Sequence, residues 1–177
     1  MEYEVAGLKD LIREIPDFPR PGVGFKDITP LLADAASLAT CVNALADRFS
    51  GEHIDKVLGV EARGFIIAAP VAYRLGAGFV PVRKAGKLPF DVLSVTYELE
   101  YGSDTLEVHA DALQPGERVL VLDDVLATGG TASATCRLVE KLGALTIGFG
   151  CIIELSFLEG RRRLDAGLPV EALVSYE

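Results

Sequence analysis

An α/β fold on a parallel sheet is what this sequence predicts, and three observations predict it. Short apolar runs alternate with segments patterned as helices, as in right-handed βαβ units. Three of those runs end in polar clusters: Glu61-Ala-Arg63, Arg83-Lys84 and Asp123 to Thr131. The chain has 177 residues, 50% of them apolar and 24% charged, which suits one domain with a sizeable core.

The elements follow in order. Val5, Leu8, Ile12 and Ile15 stand at helical spacing, so residues 3–15 predict a helix. Pro16, Pro19 and Pro21 stop it, and Asp17 to Phe25 must be a kinked loop. Asp34 has the position of a helix cap, with Leu38, Cys41, Val42, Leu45 and Phe49 on one face of the helix it starts. Lys56 to Val60 predicts a buried strand, Phe65 to Leu75 a helix containing Pro70, and Phe79 to Val82 a second strand. Between Lys84 and Leu113 the pattern changes. Leu93–Tyr101 and Thr105–His109 partly alternate around Gly102-Ser-Asp104, which predicts a hairpin. The basic, Gly-containing arm Lys84-Ala-Gly-Lys-Leu-Pro89 leads into it and suits a mobile lid. Val119 to Leu122 and Thr146 to Ile153 predict two more strands, joined by a helix from about Thr131 to Leu142. Arg161-Arg-Arg163 has the character of a solvated helix face.

The strip Val119-Leu-Val-Leu-Asp-Asp-Val-Leu-Ala-Thr-Gly-Gly-Thr131 carries the most chemistry. An apolar strand ends in two carboxylates, then a small-residue turn, then a helix. The N–H groups of such a turn can surround a phosphate, and the helix start adds unpaired donors and a positive dipole end. The aspartates would repel that phosphate and suit sugar hydroxyls or a magnesium-bound ligand instead. The strip therefore predicts a ligand with a phosphate beside a ribose. It is not a P-loop, because no Lys precedes Thr131, and it lacks the three spaced glycines of a dinucleotide fingerprint.

The net charge of −9 argues against non-specific nucleic-acid binding, which needs a basic surface. No apolar run approaches the roughly 18 residues of a membrane span, and Met1-Glu-Tyr-Glu4 does not resemble a signal peptide. Cys41, Cys136 and Cys151 are scattered in apolar stretches, the pattern of free thiols in a reducing cytoplasm. They form no ligand spacing with His53 or His109, which have the character of structural or surface residues.

Several motifs together carry a family resemblance over essentially the whole chain. Val119–Thr131 resembles the phosphoribosyl-diphosphate motif of the type I phosphoribosyltransferases. Phe18-Pro-Arg-Pro-Gly-Val-Gly-Phe-Lys-Asp-Ile28, Glu61-Ala-Arg-Gly-Phe65, Arg83-Lys-Ala-Gly-Lys-Leu-Pro89 and Tyr97-Glu-Leu-Glu-Tyr-Gly102 resemble its adenine-using members, in the same order. The resemblance implies a Rossmann-like parallel-sheet core across residues 1–177, with an N-terminal hood over about 1–33 and a flexible hairpin lid over about 84–113. It implies purine salvage: adenine and phosphoribosyl diphosphate give AMP and diphosphate, with Mg2+ held by ligand and waters rather than directly by protein groups. It also implies a cytoplasmic homodimer.

By the same resemblance, Ala127, Thr128, Gly129, Gly130 and Thr131 would bind the 5′-phosphate, and Asp123 and Asp124 the ribose. Arg63, Lys84 and Lys87 would meet the diphosphate. Gly24, Phe25 and Lys26 would cover adenine. Glu100 would be the acid/base residue, with Tyr101 beside it in the lid. A cis peptide between Glu61 and Ala62 is expected. Two departures stand out: Lys26 where many members have Arg, and Ala62 where many have Ser. Ala127 stands where the related 6-oxopurine enzymes usually carry a base-directed Asp, which favours adenine and moves the proton chemistry to Glu100. The alternatives are transfer to another base, such as xanthine, and a non-catalytic regulator that binds phosphoribosyl diphosphate.

Overall fold

The computed structural model describes residues 5–98 and 102–177. Strands β1 (Arg13–Ile15) and β2 (Phe25–Asp27) form a small antiparallel sheet. Helices α1 (Thr29–Ala33) and α2 (Ala35–Arg48) lead to β3 (Lys56–Val60), then α3 (Gly64–Leu75) and β4 (Gly78–Lys84). The hairpin strands are β5 (Val92–Glu98) and β6 (Ser103–His109). After them come β7 (Arg118–Leu126), α4 (Gly130–Lys141), β8 (Leu145–Leu155) and β9 (Val170–Tyr176). The main sheet has the order β5-β6-β4-β3-β7-β8-β9. Strands β4, β3, β7, β8 and β9 are parallel, and the hairpin joins antiparallel through β6 against β4.

The buried run of β7 shows why the sheet is covered on both faces. Leu120 and Leu122 pack into the core shared with α2 and α3. Val119 and Val121 pack into the core shared with α4. Alternate side chains of a strand point to opposite faces, so a strand buried on both sides reads as continuously apolar. α2 packs close to β8: a Cβ at Gly148 would press into the Phe49 ring, and one at Gly150 into Leu122. Asp34 caps α2 as its position predicts, its side chain accepting from the Ser37 N–H at 2.8 Å.

Two expectations are corrected. The predicted helix over residues 3–15 is, in its described part, a 3-10 turn (Val5–Leu11) followed by β1. Val5, Leu8 and Leu11 repeat every three residues, the 3-10 period, and pairing with β2 takes the backbone bonds that a longer helix would need. The arginine run 161–163 is exposed as expected, but it lies in a 3-10 turn, Gly160–Arg163, and not on a helix face. Arg161 is engaged with the buried Glu154. The short helix α1, with Pro30 in its first turn, and the strands β1, β2 and β9 go beyond the sequence expectation.

Candidate active site

From β3 the chain crosses to β4 on one side and later reaches β7 on the other, so the β3/β7 junction is a topological switch point. Ligands of open parallel sheets bind there, beyond the carboxyl ends of the strands. Arg63 follows β3, and Asp123 and Asp124 lie in β7. Arg63 Nε comes 2.6 Å from Asp124 Oδ2. This contact is an ion pair rather than a hydrogen bond, since that buried oxygen has no hydrogen-bond partner among the described residues. Asp123 accepts from the Asp124 N–H at 2.8 Å. Burial pushes the Asp123 carboxyl well above the usual range, the Asp124 charge pushes it further, and the Arg63 charge opposes the rise.

Beyond β7, residues 125–132 line a depression of about 60 Å3 at the start of α4. Gly129 caps the helix with φ 80°, a left-handed conformation that glycine adopts without a Cβ penalty. No side chain fits there for a second reason. A Cβ on Gly129 would overlap the Gly160 carbonyl, and a Cβ on Gly160 would overlap the Ala127 carbonyl. The 3-10 turn of residues 160–163 thus forms the outer wall of the loop. Arg161 holds that wall with two bonds to Glu154, at 2.6 and 2.7 Å, and one to the Val170 carbonyl at 2.8 Å. Glu154 is paired with Leu126 in the sheet, directly before the loop. Sequence reasoning missed Gly160, Arg161 and Glu154, because their roles are long-range.

The cations sit on carboxylates. Lys84 Nζ is 3.0 Å from Asp104, which keeps the ammonium charged to higher pH than usual. Lys87 Nζ donates to Glu61, which also accepts from the Lys84 N–H at 3.0 Å and from Arg83 Nε at 3.3 Å. Burial raises the Glu61 pKa, but the Lys87 bond, the Lys84 N–H and the two nearby cations outweigh it, and the net shift is downward. Glu61 is a further residue that sequence reasoning did not single out, although it stands in a cluster that was. Glu61-Ala62 is cis, as the resemblance implies. Thr131 Oγ1 meets the Tyr97 hydroxyl at 3.2 Å, which links the hairpin to the loop.

Phe25 stands against this cluster, with its ring centroid 4.9 Å from the Arg63 guanidinium carbon and 5.1 Å from the Phe18 ring. Lys26, on the opposite face of β2, turns away to Glu14 at 2.9 Å and to the Tyr176 ring at 4.3 Å. Gly24 packs near Glu14. The expected acid/base residue Glu100 and its neighbour Tyr101 lie outside the described residues.

Comparisons with known proteins converge on one family. Residues 26–167 match the model of the phosphoribosyl transferase domain. An adenine phosphoribosyltransferase of Desulfitobacterium hafniense is 59% identical over 165 residues, 93% of this chain and 95% of that protein. The crystal structure of the adenine phosphoribosyltransferase from Rhodothermus marinus superposes with a TM-score of 0.93 at 52% identity, covering 97% of this chain and 98% of the other. The Giardia lamblia enzyme in complex with 9-deazaadenine gives 0.92 at 39% identity, covering 98% of each.

Proposed function

The chain belongs to the phosphoribosyltransferase family, and from that premise we propose that it is the adenine-specific enzyme of purine salvage. It joins adenine to phosphoribosyl diphosphate, giving AMP and diphosphate. A ring nitrogen of adenine bonds to the ribosyl carbon, the bond to the diphosphate oxygen breaks with its electron pair, and the nitrogen's proton passes to a carboxylate. The observation that carries this reading is the convergence of Arg63, the buried Asp123–Asp124 pair and the Gly129 loop at one switch point.

Each group has a task that its chemistry suits. The N–H donors of Ala127 to Thr131 hold the 5′-phosphate, and Asp123 and Asp124 accept from the ribose hydroxyls. Arg63, Lys84 and Lys87 stabilise the charge that builds on the leaving diphosphate. Gly24, Phe25 and the backbone at Lys26 form the hood, with the Phe25 ring as a stacking face for the base. Glu100 takes the proton and Tyr101 lies beside it in the lid, which spans about residues 84–113. The two buried carboxylates Asp123 and Asp124 suit a magnesium ion that arrives with the substrate, since such an ion takes most of its oxygens from phosphates and waters and only one or two from carboxylates. When bound, such an ion neutralises diphosphate charge. The working form is a homodimer in a reducing cytoplasm. Ile66 and Tyr73 lie two turns apart on α3, 45% and 90% exposed, and offer an apolar face, while Cys41, Cys136 and Cys151 are free thiols.

The test is an assay with magnesium, phosphoribosyl diphosphate and each purine in turn. Adenine is expected to give AMP. Reaction with another base instead, or binding without turnover, would overturn the reading in favour of the alternatives. Glu100→Gln is expected to lower kcat by roughly 100- to 10,000-fold, and a near-native kcat would remove its acid/base role.

A further inference from the structure

Among the described residues, the small sheet that carries Phe25 shares no strand pairing with the main sheet, so something else must set its height above the proposed ribose position. The side chains of β2 alternate. Phe25 faces Arg63, and Lys26 faces the other way, towards the end of β9. There the Tyr176 ring is shared by two ammonium groups: Lys26 Nζ is 4.3 Å from its centroid and Lys9 Nζ is 4.5 Å from it. Lys26 is only 11% exposed and also meets Glu14 of β1 at 2.9 Å, and Lys9 reaches the Ser175 carbonyl at 3.4 Å. Tyr176 itself is fixed, because it pairs with Leu155 in the sheet and its carbonyl accepts from Ser156 Oγ at 2.8 Å. A partly desolvated ammonium over an aromatic face is held more firmly than one in open water.

We propose that Tyr176 is a positioning residue for the base pocket: its ring, gripped by Lys26 and Lys9, sets the position of β2 and so of Phe25. This rests on the reading that Phe25 covers adenine. It also gives Lys26 a role that needs no contact with the base. The planar fork of Arg is not required for that, since a lysine ammonium occupies the ring face directly.

The experiment compares Tyr176→Ala, Tyr176→Phe and Lys26→Met with the native protein. KM is measured separately for adenine and for phosphoribosyl diphosphate, and amide hydrogen exchange is followed over residues 13–28. Tyr176→Ala is expected to raise KM for adenine about tenfold, with kcat and the other KM within about twofold. Exchange over residues 13–28 should speed up. Lys26→Met should shift the same two readouts in the same direction by a smaller factor. Tyr176→Phe, which keeps the ring face, should restore both. Equal rises in both KM values, or a Phe variant as impaired as the Ala variant, would overturn the proposal. Unchanged exchange in both Tyr176→Ala and Lys26→Met would overturn it too. If the native protein does not use adenine at all, the functional reading fails, and hydrogen exchange alone still decides whether Tyr176 holds the hood.

Discussion

The two ends of the candidate site are made of different materials. At the proposed ribose–phosphate end the groups are backbone N–H donors and two carboxylates that are 8% and 6% exposed. Their positions follow from β7 and from backbone-on-backbone packing of Gly129 against Gly160. At the proposed diphosphate end the groups are the tips of Lys84 and Lys87, with side chains 55% and 45% exposed, each resting on a carboxylate. The first end is set before a ligand arrives. The second, in the proposed reaction, exchanges partners, giving up Asp104 and Glu61 for diphosphate. For Lys84 the exchange is cheap, because an exposed pair of that kind contributes only about 0–1 kcal/mol, while the more buried Glu61 keeps Arg83 and the Lys84 N–H when Lys87 leaves. A site of this kind holds rigidly the part of the substrate that stays and loosely the part that leaves.

Substituting glycines tests the contrast most severely. Gly129 and Gly86 both have positive φ, 80° and 79°. A Cβ at Gly129 has no room, whereas at Gly86, between the two lysines, nothing lies within 4 Å. Gly129→Ala is therefore expected to lower kcat/KM for phosphoribosyl diphosphate by about 100-fold, the usual cost of displacing a binding group by about 1 Å. Gly86→Ala should cost about 1–2 kcal/mol of local conformational energy and leave kcat/KM within about fivefold. Steady-state kinetics on the two variants decides the matter. Equal losses would mean that the loose end is as tightly specified as the rigid one.

A smaller effect sharpens the other side. Lys87→Met is expected to raise KM for phosphoribosyl diphosphate about tenfold, the loss of one charge-assisted contact. AMP, which carries no diphosphate, should bind the variant as it binds the native protein. The native advantage should also shrink as salt rises, because the lysine tip is half exposed. Calorimetric titration with AMP, beside kinetics at low and high salt, separates the two ends. An equal loss of AMP affinity would place Lys87 at the wrong end.

The same contrast governs what could be read from the sequence. Val119–Thr131 was legible because its logic is local: a buried run, two acids, a glycine turn and a helix start follow one another in the chain. Glu61 was only half legible. Its cluster stood out, but its grip on Lys87 joins residues 26 apart and depends on the path of the segment after β4. Arg161 is exposed as expected, but its hold on Glu154 was not legible, because that partner is buried only once β8 and β9 pair beside it. β9 itself went unseen, since Glu171 and Ser175 blur its apolar pattern. The 3-10 turn at Val5–Leu11 was taken for a helix because spacings of three and four are hard to separate over two turns. Among the hood residues, Phe25 is brought to Arg63, while Lys26 faces away. Alternation along a three-residue strand decides that, and residue type does not.

The rigid end should also carry a cost in stability, and Asp123 is where to look for it. Burial first, and the Asp124 charge second, raise its pKa well above that of an unfolded aspartate. The folded state therefore holds its proton more tightly than the unfolded chain does. Any stability from that proton is complete below the unfolded pKa of about 3.9 and is lost as pH rises through the higher folded value. Asp123→Asn cannot ionise and escapes that loss. The difference in Tm, variant minus native, should be near its minimum at about pH 4. It should then grow as pH rises and level off once the native carboxyl has ionised, at a gain of a few degrees. Other carboxylates, such as Asp27 and Glu61, have lowered values and tilt both curves the opposite way, so only the difference is informative. A difference that stays flat with pH would mean that Asp123 is not strained by burial. The ribose end would then be no more preloaded for its ligand than the lysine end, where every charge already has a partner.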